Sequence, residues 1–122
     1  MTCQYCQLPK RRIMQNDDIL QAIYQVIRER KANPSENSYT SELLTKGIDK
    51  IVKKLGEEAV ELIIAGKGGM RNEIVYETAD LLYHVLVLLG FYDIQPEDIY
   101  AELQRRFGVS GIEEKNSRNK EK

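Results

Sequence analysis

The chain has 122 residues, of which 42% are hydrophobic and 30% are charged, and this composition is typical of one globular domain. Its 18 basic and 19 acidic residues give a formal net charge of -1. That balance argues against a dedicated nucleic-acid-binding protein, because neutralising the phosphates requires a basic excess. The longest apolar run, Val85–Leu89, is far shorter than the roughly 18 residues that predict a membrane span. We therefore expect a cytoplasmic protein with neither nucleic-acid nor membrane partners.

Three segments are predicted along the chain. Residues 1–15 lack hydrophobic periodicity, and we expect a flexible N-terminal tail there. This tail holds Cys3 and Cys6 without the second ligand pair of a zinc site or the strand–helix context of a redox site, so we interpret both as reduced thiols. Residues 16–110 form the predicted helical domain, and residues 111–122 form a charged C-terminal tail.

Four segments of the domain carry apolar residues at helical spacing. In chain order, the predicted helices run from about Asp17 to Lys31, from about Thr40 to Ala65 with a bend at Gly47, from about Arg71 to Leu89, and from about Pro96 to Phe107. Between Leu81 and Leu89 the third helix is apolar on nearly every side, so it must be covered on every side. We predict an all-α bundle of about four helices, completed by dimerisation or by a higher homo-oligomer.

Two acidic pairs share the same spacing of three residues, Glu58 with Glu61 and Glu77 with Asp80. Residues three apart lie on one face of a helix. The glycine-rich turn at residues 66–69 makes the two helices antiparallel neighbours in this prediction, so the four carboxylates can converge. Converging carboxylates repel one another unless a cation lies among them, and an all-oxygen ligand set suits Mg²⁺ or Mn²⁺. The alternative is that these acids are surface charge facing solvent.

Basic residues and one histidine lie beside the acids in this prediction. Lys50 and Lys54 fall on the carboxylate side of their helix, where Lys54 either pairs with Glu58 or contacts a substrate phosphate. His84 follows Asp80 by four residues and lies on the same strip of its helix. It is predicted as a partner of a carboxylate, a general base or a hydrogen-bonded core residue, and these three roles stay open.

The acidic pattern, E-E-x-x-E followed after 15 residues by E-x-x-D, resembles the signature of the all-α nucleoside-triphosphate pyrophosphohydrolases of the MazG-like superfamily. Further stretches narrow the resemblance to the phosphoribosyl-ATP pyrophosphohydrolase family. They are Ser38–Thr40, Lys53–Ala59 and Glu77–His84. The similarity extends over about Ile19 to Phe107.

This resemblance implies an all-α dimer that hydrolyses phosphoribosyl-ATP to phosphoribosyl-AMP and pyrophosphate in histidine biosynthesis. It also implies Mg²⁺ bound by the acidic motif. The metal-binding and catalytic residues would be Glu58, Glu61, Glu77 and Asp80, with Glu57 outside them. We expect Lys54, Lys50 and Tyr39 to bind the substrate, the last because it lies in a stretch that carries the resemblance.

Two other functions stay open at this point. One is the same chemistry on another substrate, as in house-cleaning enzymes that remove aberrant nucleotides. The other is a helical dimerisation module without enzymatic activity, in which the acids are surface charge.

Overall fold

The computed structural model describes residues 19–109 and 111–121, and all regular secondary structure in that part of the chain is helical. The six helices are α1 (Ile19–Ala32), α2 (Tyr39–Lys46), α3 (Ile48–Gly68), α4 (Arg71–Phe91), α5 (Pro96–Arg106) and α6 (Gly111–Glu121). The predicted all-α fold is confirmed, with six helices where about four were expected. The predicted N-terminal tail, with Cys3 and Cys6, lies outside the described residues.

The long second helix of the prediction is in fact two helices, α2 and α3, which meet at Gly47. This glycine has φ +92° and ψ −172°, a conformation that residues with a Cβ rarely adopt. Its N–H donates to the carbonyl of Leu43, and its own carbonyl accepts from the N–H of Ile51. The expected bend at Gly47 is therefore a full interruption, and it gives α2 a direction independent of α3.

Helix α4 lies at the centre of the bundle and packs against α3, α1 and α2. The buried apolar core comes from all four helices: Ile23, Tyr24, Ile27, Leu43, Ile51, Tyr83, Leu86, Val87 and Leu89. At Gly90 the side chain of Ile27 on α1 packs directly against the backbone of α4, because a Cβ there would lie 2.7 Å from Cγ2 of Ile27. The second half of α4 therefore packs into the apolar core together with α1.

The apolar segment Leu81–Leu89 is covered largely by the chain itself, contrary to the premise from which an oligomer was predicted. Within it Leu86 and Leu89 are buried, and Leu82 is the large apolar residue that stays exposed. Other exposed large apolar side chains lie on α3 and on the first half of α4. They are Val52, Val60, Ile63, Ile64, Val75 and Tyr76.

Helix α4 is long and apolar enough, by length and composition alone, to cross a membrane. The core helix of a globular protein meets the same criteria, and the second half of α4 is such a core helix here. The first half of α4 carries the acidic residues Glu77 and Asp80, which indicate a role other than crossing a membrane.

The C-terminal helices follow local sequence signals. Helix α5 begins at Pro96, and a capping box between Gln95 and Asp98 closes its first turn. Residues Gly111–Glu121 form α6, where a charged tail was predicted, and its described side chains are exposed. Glutamate, lysine and arginine favour helix without any apolar partner, which accounts for a helix on so polar a segment.

Candidate active site

Four acidic side chains converge between α3 and α4. These helices are joined by Gly69 and Met70 alone, because α3 continues through residues 66–68, where a turn was predicted. One oxygen from each of Glu58, Glu61, Glu77 and Asp80 lies within 4.8 Å of the other three. Glu58 is buried, Glu77 and Asp80 are half-buried, and Glu61 is exposed. The structure thus brings together the four carboxylates that were singled out by their spacing, in a cluster open to solvent on one side.

Two oxygens of this carboxylate cluster are buried without a hydrogen-bond partner in the described part of the chain, Oε2 of Glu58 and Oε2 of Glu77. A buried polar oxygen that lacks a partner destabilises the protein, and a charged one does so strongly. A hard divalent cation would satisfy both oxygens at once. The all-oxygen ligand set therefore fits Mg²⁺ or Mn²⁺.

The carboxylate cluster holds protons more tightly than isolated carboxyl groups do. Burial raises the pKa of Glu58 from its ordinary 4.5 to about 8, and hydrogen bonds and charge from Asp80 and Glu61 add to the increase. Burial also raises the pKa of Glu77, with Glu61 and Asp80 contributing next. A bound cation would reverse this effect, because it favours the ionised form of every carboxylate and displaces the retained proton.

Lys54 lies at the edge of the carboxylate cluster and pairs with two acids. Its Nζ is 3.3 Å from Oε2 of Glu57 and 3.6 Å from Oε1 of Glu58. Burial acts to lower the pKa of Lys54, but Tyr39, Glu57 and Glu58 outweigh it and raise the pKa overall. The predicted salt bridge with Glu58 is present, and the predicted contact of Lys54 with a substrate phosphate stays a prediction.

Glu57 and Lys50 lie outside the four carboxylates. Glu57 is exposed, and its structural contact is the ion pair with Lys54. Lys50 is half-buried nearer the start of α3, where Lys46 and, to a smaller extent, Lys50 lower the pKa of Glu42. The expectation that Lys50 binds substrate stays a prediction.

His84 is buried, with 2% of its surface exposed, and both of its ring nitrogens have partners. Nδ1 is 2.8 Å from the backbone carbonyl oxygen of Asp80, and Nε2 is 3.1 Å from the hydroxyl of Tyr39. An oxygen of Asp80, one of Glu58 and a nitrogen of His84 also lie within 4.8 Å of one another. Because neither nitrogen is free, the arrangement favours the hydrogen-bonded role over the general base.

Tyr39 is hydrogen-bonded to His84, and the charges of Lys54, Glu58 and Asp80 act on it. Burial raises the pKa of its hydroxyl, the charge of Lys54 acts to lower it, and Glu58 and Asp80 raise it again. The Tyr39 side chain therefore borders the carboxylate cluster, as its selection from the sequence implied, and its hydroxyl stays protonated.

Sequence reasoning missed Thr40 and Tyr83, whose hydroxyls are hydrogen-bonded to each other directly beside the pair Tyr39–His84. Both residues lie in stretches that were singled out from the sequence, but a contact between positions 43 residues apart has no local signal. Only the placement of α2 against α4 brings them together.

Comparison with known proteins gives a consistent result. The family described as "Phosphoribosyl-ATP pyrophosphohydrolase" matches residues 20–107. The chain is 71% identical to the phosphoribosyl-ATP pyrophosphatase of Geotalea daltonii over 105 residues, which are 86% of this chain and 99% of that protein. It is 69% identical to the protein of the same name from Geobacter sulfurreducens, over 86% of this chain and 97% of the relative. For Dechloromonas aromatica the identity is 49%, again over 86% and 97%.

Without divalent ions, we expect the protein to lose stability as the pH rises from 4.5 to about 8, the ordinary and the folded-state pKa of Glu58. Between these values the folded state keeps a proton that the unfolded state has released, so the free energy of unfolding falls as the pH increases. The stabilisation by the retained proton is complete below pH 4.5 and is lost as the pH rises through about 8. Melting temperatures measured across this range in a chelating buffer test the expectation.

The matched variants for this experiment are Glu58→Gln and Glu29→Gln. The first cannot ionise and should flatten the decline, whereas Glu29 is exposed on α1 and its variant should keep the wild-type slope. An equal slope in wild type and Glu58→Gln would contradict the assignment of this proton to Glu58.

Proposed function

Because the chain belongs to the phosphoribosyl-ATP pyrophosphohydrolase family, within the MazG-like superfamily, we propose that it hydrolyses phosphoribosyl-ATP to phosphoribosyl-AMP and pyrophosphate. This is a reaction of histidine biosynthesis, and we place it in the cytoplasm with Mg²⁺ as the cofactor and Mn²⁺ as a substitute. The observation that carries the proposal is the carboxylate cluster, with two buried oxygens that lack a partner. If the acids served only as surface charge, there would be no reason for these two oxygens to be buried.

In this proposal Glu58, Glu61, Glu77 and Asp80 hold the ion. When bound, the ion supplies positive charge that offsets the charge on the phosphate oxygens of the substrate and of the transition state. The packing of α3 against α4 holds the carboxylates in position before the ion binds. The cluster is exposed at Glu61, and the triphosphate enters from that side. Water adds across the α–β phosphoanhydride bond, and the protein contributes mainly positioning and charge neutralisation.

Lys54 has a second role in this proposal, as a contact to a substrate phosphate. Its ammonium is partly exposed and already lies over the carboxylate edge of the cluster. A substrate phosphate at this position would compete with Glu57 for the ammonium of Lys54. Glu57 is exposed, so its carboxylate can be solvated by water once it is displaced. The expected contribution is that of one charge-assisted hydrogen bond.

A substrate panel tests the proposed function. The protein is incubated with Mg²⁺ and phosphoribosyl-ATP, ATP, dUTP or dCTP, and pyrophosphate release is measured. We expect release from phosphoribosyl-ATP at a specificity constant well above those of the other three. If pyrophosphate were released faster from dUTP or dCTP than from phosphoribosyl-ATP, the protein would instead be a house-cleaning enzyme. If no nucleotide released pyrophosphate, the helical dimerisation module without enzymatic activity would be the remaining function.

Asp80→Asn and Asp49→Asn form the matched pair for the ion in the same assay. Mg²⁺ should raise the melting temperature of the wild type, because it binds the folded state only. Asp80→Asn should lose most of that increase and most of the turnover. Asp49 is exposed in the first turn of α3, so its variant should behave as wild type. Undiminished turnover in Asp80→Asn would exclude Asp80 as a ligand.

For Lys54→Met we expect the specificity constant to fall roughly 10- to 150-fold, the equivalent of about 1.5–3 kcal/mol for a charge-assisted hydrogen bond. The control is Lys53→Met, because Lys53 is the adjacent lysine and is exposed. Loss of a surface ion pair alone would change the stability by at most about 1 kcal/mol and leave catalysis intact. A fall of less than about threefold in a well-folded variant would therefore restrict Lys54 to its salt bridges.

The chain is further proposed to form a homodimer through α3 and the first half of α4. Several large apolar side chains are exposed there, including Ile63 with 69% of its surface exposed and Ile64 with 65%. A groove of about 400 Å³ between α1 and α4 adds to the apolar surface on the same side as Leu82. Its lining consists of Ile19, Leu20, Ile23, Ala79, Leu82, Tyr83 and Leu86. Exposed apolar surface of this kind is typical of an interface between subunits.

Sedimentation at micromolar concentration tests the dimer, with Ile63→Glu as the disrupting variant. We expect a dimer for the wild type and dissociation or unfolding for Ile63→Glu, because the glutamate would be buried in the interface. The control is Leu103→Glu, which places the same charge on α5 at a leucine with 59% of its surface exposed. This variant should stay dimeric. A folded wild-type monomer at this concentration would contradict the proposal.

A further inference from the structure

The side chain of His84 connects helix α2 to Asp80, one of the four acids of the carboxylate cluster. One ring nitrogen, Nε2, is 3.1 Å from the hydroxyl of Tyr39 on α2. The other, Nδ1, is 2.8 Å from the backbone carbonyl oxygen of Asp80 and 3.6 Å from its carboxylate oxygen Oδ1. The ring of His84 therefore lies between a residue of α2 and an acid that is proposed to hold the cation.

A proton lies on Nδ1 of His84 whether the ring is neutral or charged. A backbone carbonyl oxygen can only accept a hydrogen bond, so Nδ1 is the donor at 2.8 Å. In the neutral ring Nε2 then accepts from the hydroxyl of Tyr39, and in the charged ring Nε2 donates to the same oxygen. Because a hydroxyl can donate or accept, both contacts of His84 persist in either state, and an N–H always faces Asp80.

This N–H acts on the carboxylate of Asp80 as well as on its backbone. At 3.6 Å the distance from Nδ1 to Oδ1 is too long for a hydrogen bond, but the positive end of the N–H still attracts the carboxylate oxygen. Only 3% of the His84 side chain and 14% of the Asp80 side chain are exposed, so water screens this attraction little. One oxygen of Asp80 is thus drawn toward the ring, which restricts rotation of the carboxylate.

A second hydrogen bond between the same two helices keeps the imidazole in place. Thr40 and Tyr83, the chain neighbours of Tyr39 and His84, are bonded through their hydroxyls. The rings of both tyrosines also meet the imidazole edge-on, with centroid distances of 6.0 Å to Tyr39 and 5.3 Å to Tyr83. These contacts leave the ring of His84 little freedom to turn away from Asp80.

Resting on the proposed function, we infer that His84 is a positioning residue: held by Tyr39 of α2, it fixes the carboxylate of Asp80 in the orientation in which that acid binds the cation. Neither His84 nor Tyr39 touches the cation or the reacting atoms in this arrangement. Their effect passes through Asp80, so α2 supports the metal site without carrying any of its four acids. Replacing a residue that orients a metal ligand commonly weakens metal binding roughly 10- to 100-fold.

Nuclear magnetic resonance of the imidazole nitrogens tests the orientation of the ring, because His84 is the only histidine in the chain. Protonated and unprotonated ring nitrogens are distinguished by their ¹⁵N shifts. In the free protein we expect Nδ1 to carry a proton both where the ring is charged and where it is neutral. An unprotonated Nδ1 at any pH at which the protein is folded would overturn the inference.

Two replacements of His84 separate its two contacts. The amide nitrogen of asparagine takes the place of Nδ1 and that of glutamine the place of Nε2, so His84→Asn keeps a donor for Asp80 and His84→Gln keeps the contact with Tyr39. The measurement is the affinity for Mg²⁺, taken from the dependence of the melting temperature on the Mg²⁺ concentration. We expect His84→Asn to stay within about threefold of the wild type and His84→Gln to bind at least roughly tenfold more weakly. Equal affinities in the two folded variants contradict the inference.

A double-mutant cycle tests the part played by Tyr39. Tyr39→Phe should weaken Mg²⁺ binding by about threefold or more in the wild type and have no further effect in the His84→Asn background, where the contact is already lost. The control is Tyr92→Phe, an exposed tyrosine at the end of α4, which should bind Mg²⁺ as the wild type does. A purely structural role would lower the melting temperature without Mg²⁺ and leave the affinity unchanged, or give equal losses of affinity in both backgrounds. Either result excludes the proposed role.

The binding and resonance measurements need no substrate, so they are decided separately from the proposed function. If the two His84 variants differ as expected and phosphoribosyl-ATP is not hydrolysed, the positioning of Asp80 stands and the proposed function fails. If phosphoribosyl-ATP is hydrolysed and His84→Gln binds Mg²⁺ as tightly as the wild type, the proposed function stands and the inference fails.

Discussion

Mutual repulsion among four carboxylates is the constraint on which this structure depends. One oxygen from each of Glu58, Glu61, Glu77 and Asp80 lies within 4.8 Å of the other three, and Glu58 is almost fully buried. In the absence of a cation the protein retains protons there: burial, followed by hydrogen bonds and charge from Asp80 and Glu61, raises the pKa of Glu58 to about 8. The arrangement is unfavourable for the folded chain alone, and a divalent cation bound among the carboxylates would offset it.

The rest of the bundle keeps that arrangement rigid. One half of α4 is anchored in the apolar core, where Gly90 allows α1 to approach closely at Ile27. The other half carries Glu77 and Asp80 and packs mainly against α3. Because the core anchors one end and the short connection between α3 and α4 joins the other, the carboxylates face each other without needing a third helix between them. Large apolar side chains of the same two helices, among them Ile63 and Ile64, remain exposed, and this is the surface proposed for dimerisation.

Polar contacts beside the carboxylate cluster connect it to the core. His84 follows the cluster along α4 and points inward, where its two nitrogens bind a backbone carbonyl and the hydroxyl of Tyr39. Tyr39 comes from α2, whose direction is set by the break at Gly47. Had α2 and α3 formed one continuous helix, as the periodicity suggested, residue 39 would lie about two turns beyond the start of α3 and far from α4. The glycine at position 47 is therefore a condition for the contact between Tyr39 and His84.

The sequence by itself determined the helical class and the four acids, because helical spacing is a local property that survives in any globular context. It placed the end of α3 a few residues too early, since the helix continues to Gly68. Spacing of three residues places Glu58 with Glu61 and Glu77 with Asp80 on shared faces before any tertiary contact is known. Tertiary structure alone decided which acids are buried, that the segment Leu81–Leu89 is covered mostly by its own chain, and that His84 is bonded to Tyr39 rather than free. Those features depend on contacts between residues distant in sequence, and no periodicity within one helix encodes which side chain of another helix it will meet.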